Sequence, residues 1–317
     1  MTRVAAVDCG TNSIRLLISE IQEDGKIRDI SRTMEIVRLG QGVDATGEFA
    51  PDALERTRVA LEGYVKQMKF EKVQRVRMVA TSATRDAKNH REFFDMTSEL
   101  LGQVQQGARA EVISGEEEAL LSFTGAVADL SSEKGPYCVI DLGGGSTEFV
   151  VGTIDGDILG SHSAQMGCVR LTERIMRSDP PTEAEIEIAT DYVAERMADV
   201  EKIVPIDKAV TFVGCAGTFT TLSALAQGME RYDADSIHGS ELRFDALRVL
   251  TRQLIGMSSD ERALNPVIHP GRADVIGGGS VAVEGIMTMI ERNSDARSFF
   301  ISEKDILDGI IAGLAAG

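Results

Sequence analysis

Short apolar runs alternate along the chain with longer segments in which apolar residues recur at helical spacing. Val4–Val7 and Ile14–Ile18 are apolar runs of strand length, and a similar run begins at Val139. In contrast, Pro51–Lys69 carries apolar residues spaced as on one face of a helix. Strands and helices that alternate in this way predict an α/β or mixed fold.

The same pattern predicts the remaining elements. Further strands are predicted at Ile27–Thr33, Val76–Ala80, Ala110–Ile113, Thr147–Val151, Ala209–Val213 and Ser298–Ile301. Further helices are predicted to begin at Ser114 and to span Arg91–Val104, Pro180–Val200, Thr218–Leu225, Leu242–Met257, Val281–Ile290 and Lys304–Leu314. Two domains are expected, residues 1–124 and 125–303, with the final helix, 304–317, packed back on the first domain.

A strand, an acid, a glycine turn and a second strand occur twice in the chain. When Asp8–Ser13 is shifted by 133 positions (141 minus 8), it falls on Asp141–Ser146, and the acid, one glycine and the serine coincide. Gly214–Thr218 forms a third loop of small residues after an apolar run. The repeat predicts two similar domains that each begin with this hairpin, and we expect the two hairpins to face each other across a cleft.

Glycine-rich turns of this kind suit the binding of phosphate groups. Glycine allows a ligand close to the backbone, and successive N–H groups can form a nest for an anion. An acid beside such a nest, here Asp141, can hold a divalent cation that bridges to phosphate oxygens. The alternative is an ordinary hairpin with a loose turn. The candidate phosphate-binding residues are Thr11, Asn12, Ser13, Gly143, Gly144, Gly145, Ser146, Gly217 and Thr218.

Three other segments offer candidate functional side chains. Thr81–Arg85 ends a predicted strand with small hydroxyl residues and an arginine, which indicates either a phosphate-contacting corner or a helix cap with a surface arginine. Ser114 and Glu117 have the spacing of a capping box, so Glu118 is the acid without a local structural role. A partly buried carboxylate there would suit a general base. Arg170 and Arg174 are further candidate cations, with a helix surface position as the alternative for both.

Composition excludes several classes of protein. The 317 residues are 43% hydrophobic and 26% charged, which is typical of a globular chain. The net charge of −17 argues against a nucleic-acid partner, which needs a basic surface, and implies that a metal assists any phosphate-rich ligand. No apolar run has the length of a membrane span or of a signal peptide core, so we predict a cytoplasmic protein with no membrane contact.

The four cysteines do not form a recognisable metal or disulfide pattern. Cys9, Cys138, Cys168 and Cys215 include no C-x-x-C pair, and three of them border the glycine loops. Small buried packing is the favoured interpretation, and a nucleophilic thiol is the alternative.

Six stretches, in this order, resemble the exopolyphosphatase / guanosine pentaphosphate phosphohydrolase (Ppx/GppA) family. They are Asp8–Ser13, Ala80–Arg85, Ile113–Ala119, Ile140–Glu148, Met166–Leu171 and Gly214–Thr218. The resemblance covers nearly the whole chain. It implies two ribonuclease-H-like domains of the actin/Hsp70/sugar-kinase superfold around an interdomain cleft, and hydrolysis of a terminal phosphoanhydride with Mg²⁺ or Mn²⁺. It implies that Glu118 is the catalytic carboxylate, that Asp141 and Glu148 lie near the metal and the attacking water, and that Arg85 contacts phosphate.

The substrate is expected to be inorganic polyphosphate. No C-terminal histidine–aspartate helical domain of the kind found in long family members is expected, and the resemblance then implies a shift towards short chains or nucleotides. The alternatives are a guanosine pentaphosphate 5′-phosphohydrolase, a kinase or ATPase of the same superfold, and a non-catalytic polyphosphate or nucleotide sensor. The resemblance also implies a homodimer as the expected assembly.

Overall fold

The apolar runs form two β-sheets, one in each of two structural units. Unit 1 consists of Met1–Gly125 together with Ile306–Gly317, and unit 2 consists of Ala126–Asp305. The structure is a computed structural model that describes residues 1–317. The limits of the units lie beside the boundaries expected from the sequence, at residues 124/125 and 303/304.

The elements have the following bounds. The strands are β1 (Thr2–Cys9), β2 (Ser13–Ile21), β3 (Ile27–Ile36), β4 (Arg75–Ala80), β5 (Ala110–Val112), β6 (Tyr137–Leu142), β7 (Thr147–Gly152), β8 (Ile158–Ala164), β9 (Thr211–Cys215), β10 (Glu241–Arg243) and β11 (Ser298–Ile301). The helices are α1 (Val43–Thr46), α2 (Pro51–Phe70), α3 (Ser82–Asp86), α4 (His90–Leu101), α5 (Gly115–Val127), α6 (Cys168–Arg174), α7 (Glu183–Ile203), α8 (Ala216–Ala226), α9 (Ala234–Ile237), α10 (Phe244–Gly256), α11 (Ser259–Ala263), α12 (Ile276–Asn293) and α13 (Ile306–Ala316). None of these helices is both long enough and apolar enough to cross a membrane.

The sheet of unit 1 has the strand order β3-β2-β1-β4-β5. The first three strands of the chain are antiparallel, whereas β4 and β5 run parallel to β1. Side chains alternate between the two faces of a strand. Ala5 and Val7 therefore pack in the core that includes α2 and α4, and Val4 and Ala6 pack against α13 on the other face. Burial on both faces explains why β1 is a continuous apolar run.

The sheet of unit 2 repeats this arrangement with one additional strand. Its order is β10-β11-β9-β6-β7-β8, with β6, β7 and β8 antiparallel and β9 and β11 added in parallel. An antiparallel meander extended by parallel strands on the side of its first strand is the ribonuclease-H-like arrangement, and it occurs in both units. The predicted α/β fold class with two such domains is confirmed.

Three local predictions differ from the structure for reasons of tertiary packing. Leu242–Met257 was expected to be one helix, but its first residues form the edge strand β10, because Leu242 pairs with Phe299 of β11. The strand β8 was not predicted. The helix expected at Val281–Ile290 begins at Ile276, so three glycines lie inside it. A Cβ on Gly278 would lie 2.8 Å from Thr172 Oγ1, so close packing against α6 favours glycine at this position despite its low helix propensity.

Candidate active site

The first glycine loop is held by hydrogen bonds to its carbonyl groups. The loop closes through the Gly10 N–H, which donates to the Ser13 carbonyl at 3.0 Å. The carbonyls of Thr11 and Asn12 each accept a backbone N–H from the segment 37–40, at 2.8 Å. The three residues predicted to contact phosphate in unit 1, Thr11, Asn12 and Ser13, therefore lie in a loop whose backbone is fixed by its neighbours.

The second loop has the same closure and the same kind of support. The Gly143 N–H donates to the Ser146 carbonyl at 3.0 Å, and the start of α6 donates backbone N–H groups to the carbonyls of Gly143 and Gly144 at 3.0 and 2.9 Å. The backbone N–H groups of Gly144 and Gly145 form no hydrogen bond within the protein. Because the carbonyl side of the loop is already bonded and these N–H groups are not, the loop can accept an anion.

Arg170 belongs to the support of the second loop. Its Nε donates to the Gly145 carbonyl at 2.7 Å. The alternative that Arg170 is only a helix surface residue is therefore wrong. The guanidinium fixes the third carbonyl of the loop and places positive charge beside the free N–H groups.

The two copies of the hairpin differ at the residue opposite the acid. In unit 1, Asp8 pairs across the sheet with Arg15, which donates to Asp8 Oδ2 from Nε at 3.0 Å and from Nη2 at 2.7 Å. In unit 2, the partner of Asp141 across β6 and β7 is Glu148. Opposed residues of an antiparallel pair project from the same face of a sheet. The first copy thus contains a neutral ion pair, whereas the second contains two acids.

The two acids of unit 2 fit a divalent cation. Asp141 and Glu148 are 7% and 2% exposed, so their charges have little access to solvent. Glu148 Oε1 accepts a hydrogen bond of 2.7 Å from Ser163 Oγ, which orients this carboxylate. No group of three or more His, Cys, Asp or Glu side chains is arranged as a complete metal site. Mg²⁺ commonly uses one or two carboxylates, with water and substrate phosphate completing the shell, so the pair is sufficient.

Arg85 and Glu118 form an ion pair in unit 1. Arg85 Nη1 donates to Glu118 Oε2 at 2.8 Å and to the Ile113 carbonyl at 2.9 Å. Arg85 Nη2 is buried and has no hydrogen-bond partner. Buried donors are normally satisfied, so an unused N–H next to a carboxylate indicates a place for an acceptor, which a ligand oxygen or a water molecule can provide. The interpretation of Arg85 as a surface arginine is wrong, and Thr81 makes no side-chain cap bond.

The three consecutive glutamates of α5 have different surroundings. Glu118 is 9% exposed, whereas Glu116 and Glu117 are exposed. Ser114 Oγ accepts the Glu117 N–H at 3.2 Å, as predicted, but the Glu117 carboxylate accepts from Arg77 Nη2 at 2.6 Å. The capping box is therefore only half formed. Glu118 nevertheless differs from the other two glutamates, because it is the only one of the three that is buried.

The third loop, Gly214–Thr218, contacts Arg272, an arginine that the sequence analysis did not identify. Ala216 has a φ of 69°, an unfavourable conformation for a residue with a side chain. A Cβ on Gly217 would lie 2.4 Å from the guanidinium carbon of Arg272, so only glycine allows this contact. Thr218 is 5% exposed, and its hydroxyl lies against α12, where a Cβ on Gly279 would be 2.7 Å from Thr218 Oγ1.

The cysteines are buried thiols. All four are free and buried, and burial raises the pKa of Cys9 and Cys138 well above the usual range and that of Cys168 to about 11. At about pH 8 a thiol with that pKa is ionised in about one molecule in a thousand. We expect a thiol reagent to label none of the four in the folded protein and all four in denaturant. Rapid labelling of one native cysteine with loss of activity would instead support a nucleophilic thiol.

Gly167 provides a test of the support beneath the second loop. A Cβ at this position would lie 2.3 Å from the Gly144 carbonyl oxygen. We expect Gly167→Ala to displace the loop, to reduce phosphate release and to lower the free energy of unfolding by about 1–3 kcal/mol, the usual cost of overpacking. Urea denaturation and a phosphate-release assay would measure both effects.

The matched control for Gly167→Ala is Gly63→Ala. Gly63 is exposed in α2 and a Cβ there meets nothing within 4 Å. Alanine in a helix interior is favoured over glycine by about 0.5–1 kcal/mol, so this variant should be slightly more stable and fully active. Equal activity of the two variants would contradict the role assigned to Gly167.

Comparison with known proteins places this geometry in a family. The model of the Ppx/GppA phosphatase family matches residues 17–312. Exopolyphosphatase 2 of Mycobacterium tuberculosis is 52% identical over 99% of both chains. The guanosine-5′-triphosphate,3′-diphosphate pyrophosphatase of Pseudoalteromonas atlantica is 30% identical over 98% of this chain and 58% of its own. The crystal structure of an exopolyphosphatase-like protein has a TM-score of 0.92, with 38% identity and 99% coverage of both chains. The chain therefore belongs to the Ppx/GppA phosphatase family.

Proposed function

We propose that the protein is an exopolyphosphatase that releases orthophosphate from the end of inorganic polyphosphate. The observation that carries the proposal is the Arg85–Glu118 pair, in which a buried N–H group without an acceptor lies beside a carboxylate. This is the combination needed to bind a terminal phosphate and to activate water next to it. The 52% identity to a mycobacterial exopolyphosphatase supports polyphosphate as the substrate.

Unit 1 would supply the general base and the phosphate-binding arginine. Glu118 accepts the proton of the attacking water as its oxygen bonds to the terminal phosphorus. The P–O bond to the rest of the polyphosphate breaks, and the shortened chain leaves as an anion. The unused Nη2 of Arg85 donates a hydrogen bond to an oxygen of the transferred phosphoryl group. The first glycine loop binds phosphate through Thr11, Asn12 and Ser13. Charge grows on the phosphoryl oxygens in the transition state, so a donor already in place stabilises it without reorganisation.

Unit 2 would supply the second phosphate-binding loop and the carboxylates for a cation. The N–H groups of Gly144 and Gly145 bind substrate oxygens, and Ser146, Gly143, Gly217 and Thr218 complete this set. Asp141 and Glu148 would hold Mg²⁺ or Mn²⁺, which neutralises charge on the phosphates when bound. The hydrogen bond from Ser163 Oγ restricts the orientation of the Glu148 carboxylate.

The experiment that tests the proposal measures phosphate release from four substrates. Long-chain polyphosphate, tripolyphosphate, guanosine pentaphosphate and ATP are each supplied with Mg²⁺, Mn²⁺ or EDTA. Metal-dependent release that is fastest from polyphosphate supports the proposal, and the ratio of the two chain lengths tests the predicted preference for short chains. If EDTA did not change the activity, the proposed role of a divalent cation would be wrong.

The second candidate is guanosine pentaphosphate hydrolysis. It is favoured by the 30% identity to a pyrophosphatase that acts on that class of nucleotide. Release mainly from guanosine pentaphosphate would replace the first proposal. Phosphate transfer from ATP to an acceptor would indicate a kinase, and tight binding without release would indicate a sensor. The cytoplasmic location and the homodimer stay predictions, to be tested by fractionation and by solution mass.

A further inference from the structure

A pocket in unit 1 lies between the edge strand β3 and the helix α2. Its volume is about 580 Å³, and small-molecule sites typically have about 300–1,000 Å³. The walls are the C-terminal half of β3, Val37 and one side of α2. The proposed reaction uses none of the side chains that line this pocket, so the pocket needs a separate explanation.

The side of α2 that faces the pocket has long polar residues at its two ends and small residues between them. Residues three or four positions apart share one side of a helix. In this pocket they are Arg56, Ala60, Gly63 and Gln67. A Cβ on Gly63 would meet no other atom within 4 Å, and Ala60 has only a methyl group. The strand and the helix therefore leave a gap beside these two positions.

Hydrogen bonds between β3 and α2 hold both ends of this gap. At one end, Gln67 Nε2 donates to Ser31 Oγ at 3.0 Å, and the Thr33 hydroxyl donates to Gln67 Oε1 at 3.4 Å. At the other end, Arg56 Nε donates to the Val37 carbonyl at 2.8 Å. The walls of the pocket are therefore fixed before any ligand arrives, and a preorganised site loses less free energy to ordering when it binds.

Two carboxylates, those of Glu35 and Glu55, line the pocket. Side chains two positions apart on a strand share a face, so Glu35 lies on the same side of β3 as Thr33, which bonds to α2. The Glu35 carboxylate forms no ion pair with a Lys or Arg side chain. Glu55 has one such partner, Arg58, at 3.6 Å, and exposed ion pairs of this kind contribute little.

The one cation that lines the pocket does not balance these acids. Arg56 Nη1 donates to Asp52 Oδ2 at 2.8 Å, and Arg56 Nη2 donates to Gln41 Oε1 at 3.0 Å. Because Nε binds the Val37 carbonyl, all three nitrogens of this guanidinium already have acceptors, and Asp52 is its counter-ion. The pocket therefore keeps an excess of negative charge, which is complementary to a cation.

The apolar walls and the two acids together define the class of ligand. Ile36, Val59 and Ala60 offer apolar contacts, and Val59 is 59% exposed. An ionised carboxylate only accepts hydrogen bonds, whereas an ammonium group has three donors and no acceptor. We propose that the pocket binds a small organic ammonium ion, with its apolar body in the gap between β3 and α2 and its charged group on Glu35 and Glu55.

The test measures binding at the pocket itself in the full chain. Hexylammonium, hexanol and hexanoate share one apolar body and differ in charge, and each is titrated while NMR follows the backbone amide signals of Ala60 and Gly63. Hexylammonium should shift both signals to saturation, with a dissociation constant about tenfold lower than that of hexanol, since hydrogen bonds between charged groups are the stronger ones. The signal of Gly107, an exposed glycine outside the pocket, should not move. Equal affinities for hexylammonium and hexanol, or no shift at Ala60 and Gly63, would overturn the proposal.

Variants test whether the acid and the gap are responsible. Glu35→Gln should raise the dissociation constant of hexylammonium about fivefold and leave that of hexanol unchanged. Glu62→Gln, on α2 but outside the pocket, removes the same charge and should change neither, so equal losses in the two variants would contradict a specific site. Gly63→Leu has room to fold and fills the gap, so all three ligands should bind more weakly at Ala60. Because the readout is binding, it is independent of whether the protein hydrolyses polyphosphate.

Discussion

Replacement of Glu118 by glutamine is expected to reduce phosphate release from polyphosphate by about 10²–10⁴-fold, the usual contribution of a general base. Glutamine has nearly the shape of glutamate and can still accept a hydrogen bond from Arg85 through its amide oxygen. It cannot accept a proton from water. The loss should therefore appear in kcat, and substrate binding and the thermal melting temperature should change little.

Glu117→Gln is the matched control on the same helix. Glu117 is exposed and forms an ion pair with Arg77, and surface pairs of this kind contribute little to stability. This variant should keep nearly full activity. If Glu118→Gln and Glu117→Gln were equally active, another group would have to be the base and the assignment of Glu118 would fail.

Replacement of Asp141 by asparagine is expected to weaken the response to metal. The variant removes one of two buried like charges, so the attraction for a divalent cation falls. A metal ion at such a site contributes several kcal/mol, which corresponds to a loss in rate of about 10²–10³-fold at limiting Mg²⁺. A Mg²⁺ titration of activity should shift to higher concentration, and added Mg²⁺ should restore part of the rate. No such rescue is expected for Glu118→Gln.

Asp155→Asn is the control for this experiment. Asp155 is an exposed residue between β7 and β8, so its removal changes the net charge by the same amount without changing the buried pair. Its Mg²⁺ titration should match that of the unmodified protein. An unchanged titration in Asp141→Asn would mean that Asp141 does not contact the metal.

The sheets could be predicted because their strongest signals are local. β1 and β6 are buried on both faces, so each is a nearly continuous apolar run of strand length. The edge strand β10 was assigned to a helix because it is three residues long and exists through its pairing with β11. The glycines at the start of α12 have a low helix propensity, and only contacts with other helices overcome it.

The candidate site was predictable only in part. The offset of 133 positions identifies both loops. The same offset aligns Arg15 with Glu148, so the sequence also contains the difference between the ion pair of unit 1 and the two acids of unit 2. Other contacts join residues that are distant in sequence. Arg85 and Glu118 are 33 positions apart, and no local pattern brings Arg272 against Gly217. Such contacts depend on how the elements pack, which the periodicity of one segment does not encode.

The position of α13 has a consequence for biosynthesis. Val4, Ala6, Leu17 and Val79 form one face of the sheet of unit 1, and residues of α13 cover it. The ribosome must synthesise all of Ala126–Asp305 after residues 1–125 and before α13. At 5–20 residues per second this takes about 9–36 s, during which the nascent sheet exposes an apolar face. We therefore expect a chaperone that binds exposed apolar surface to act on the nascent first unit.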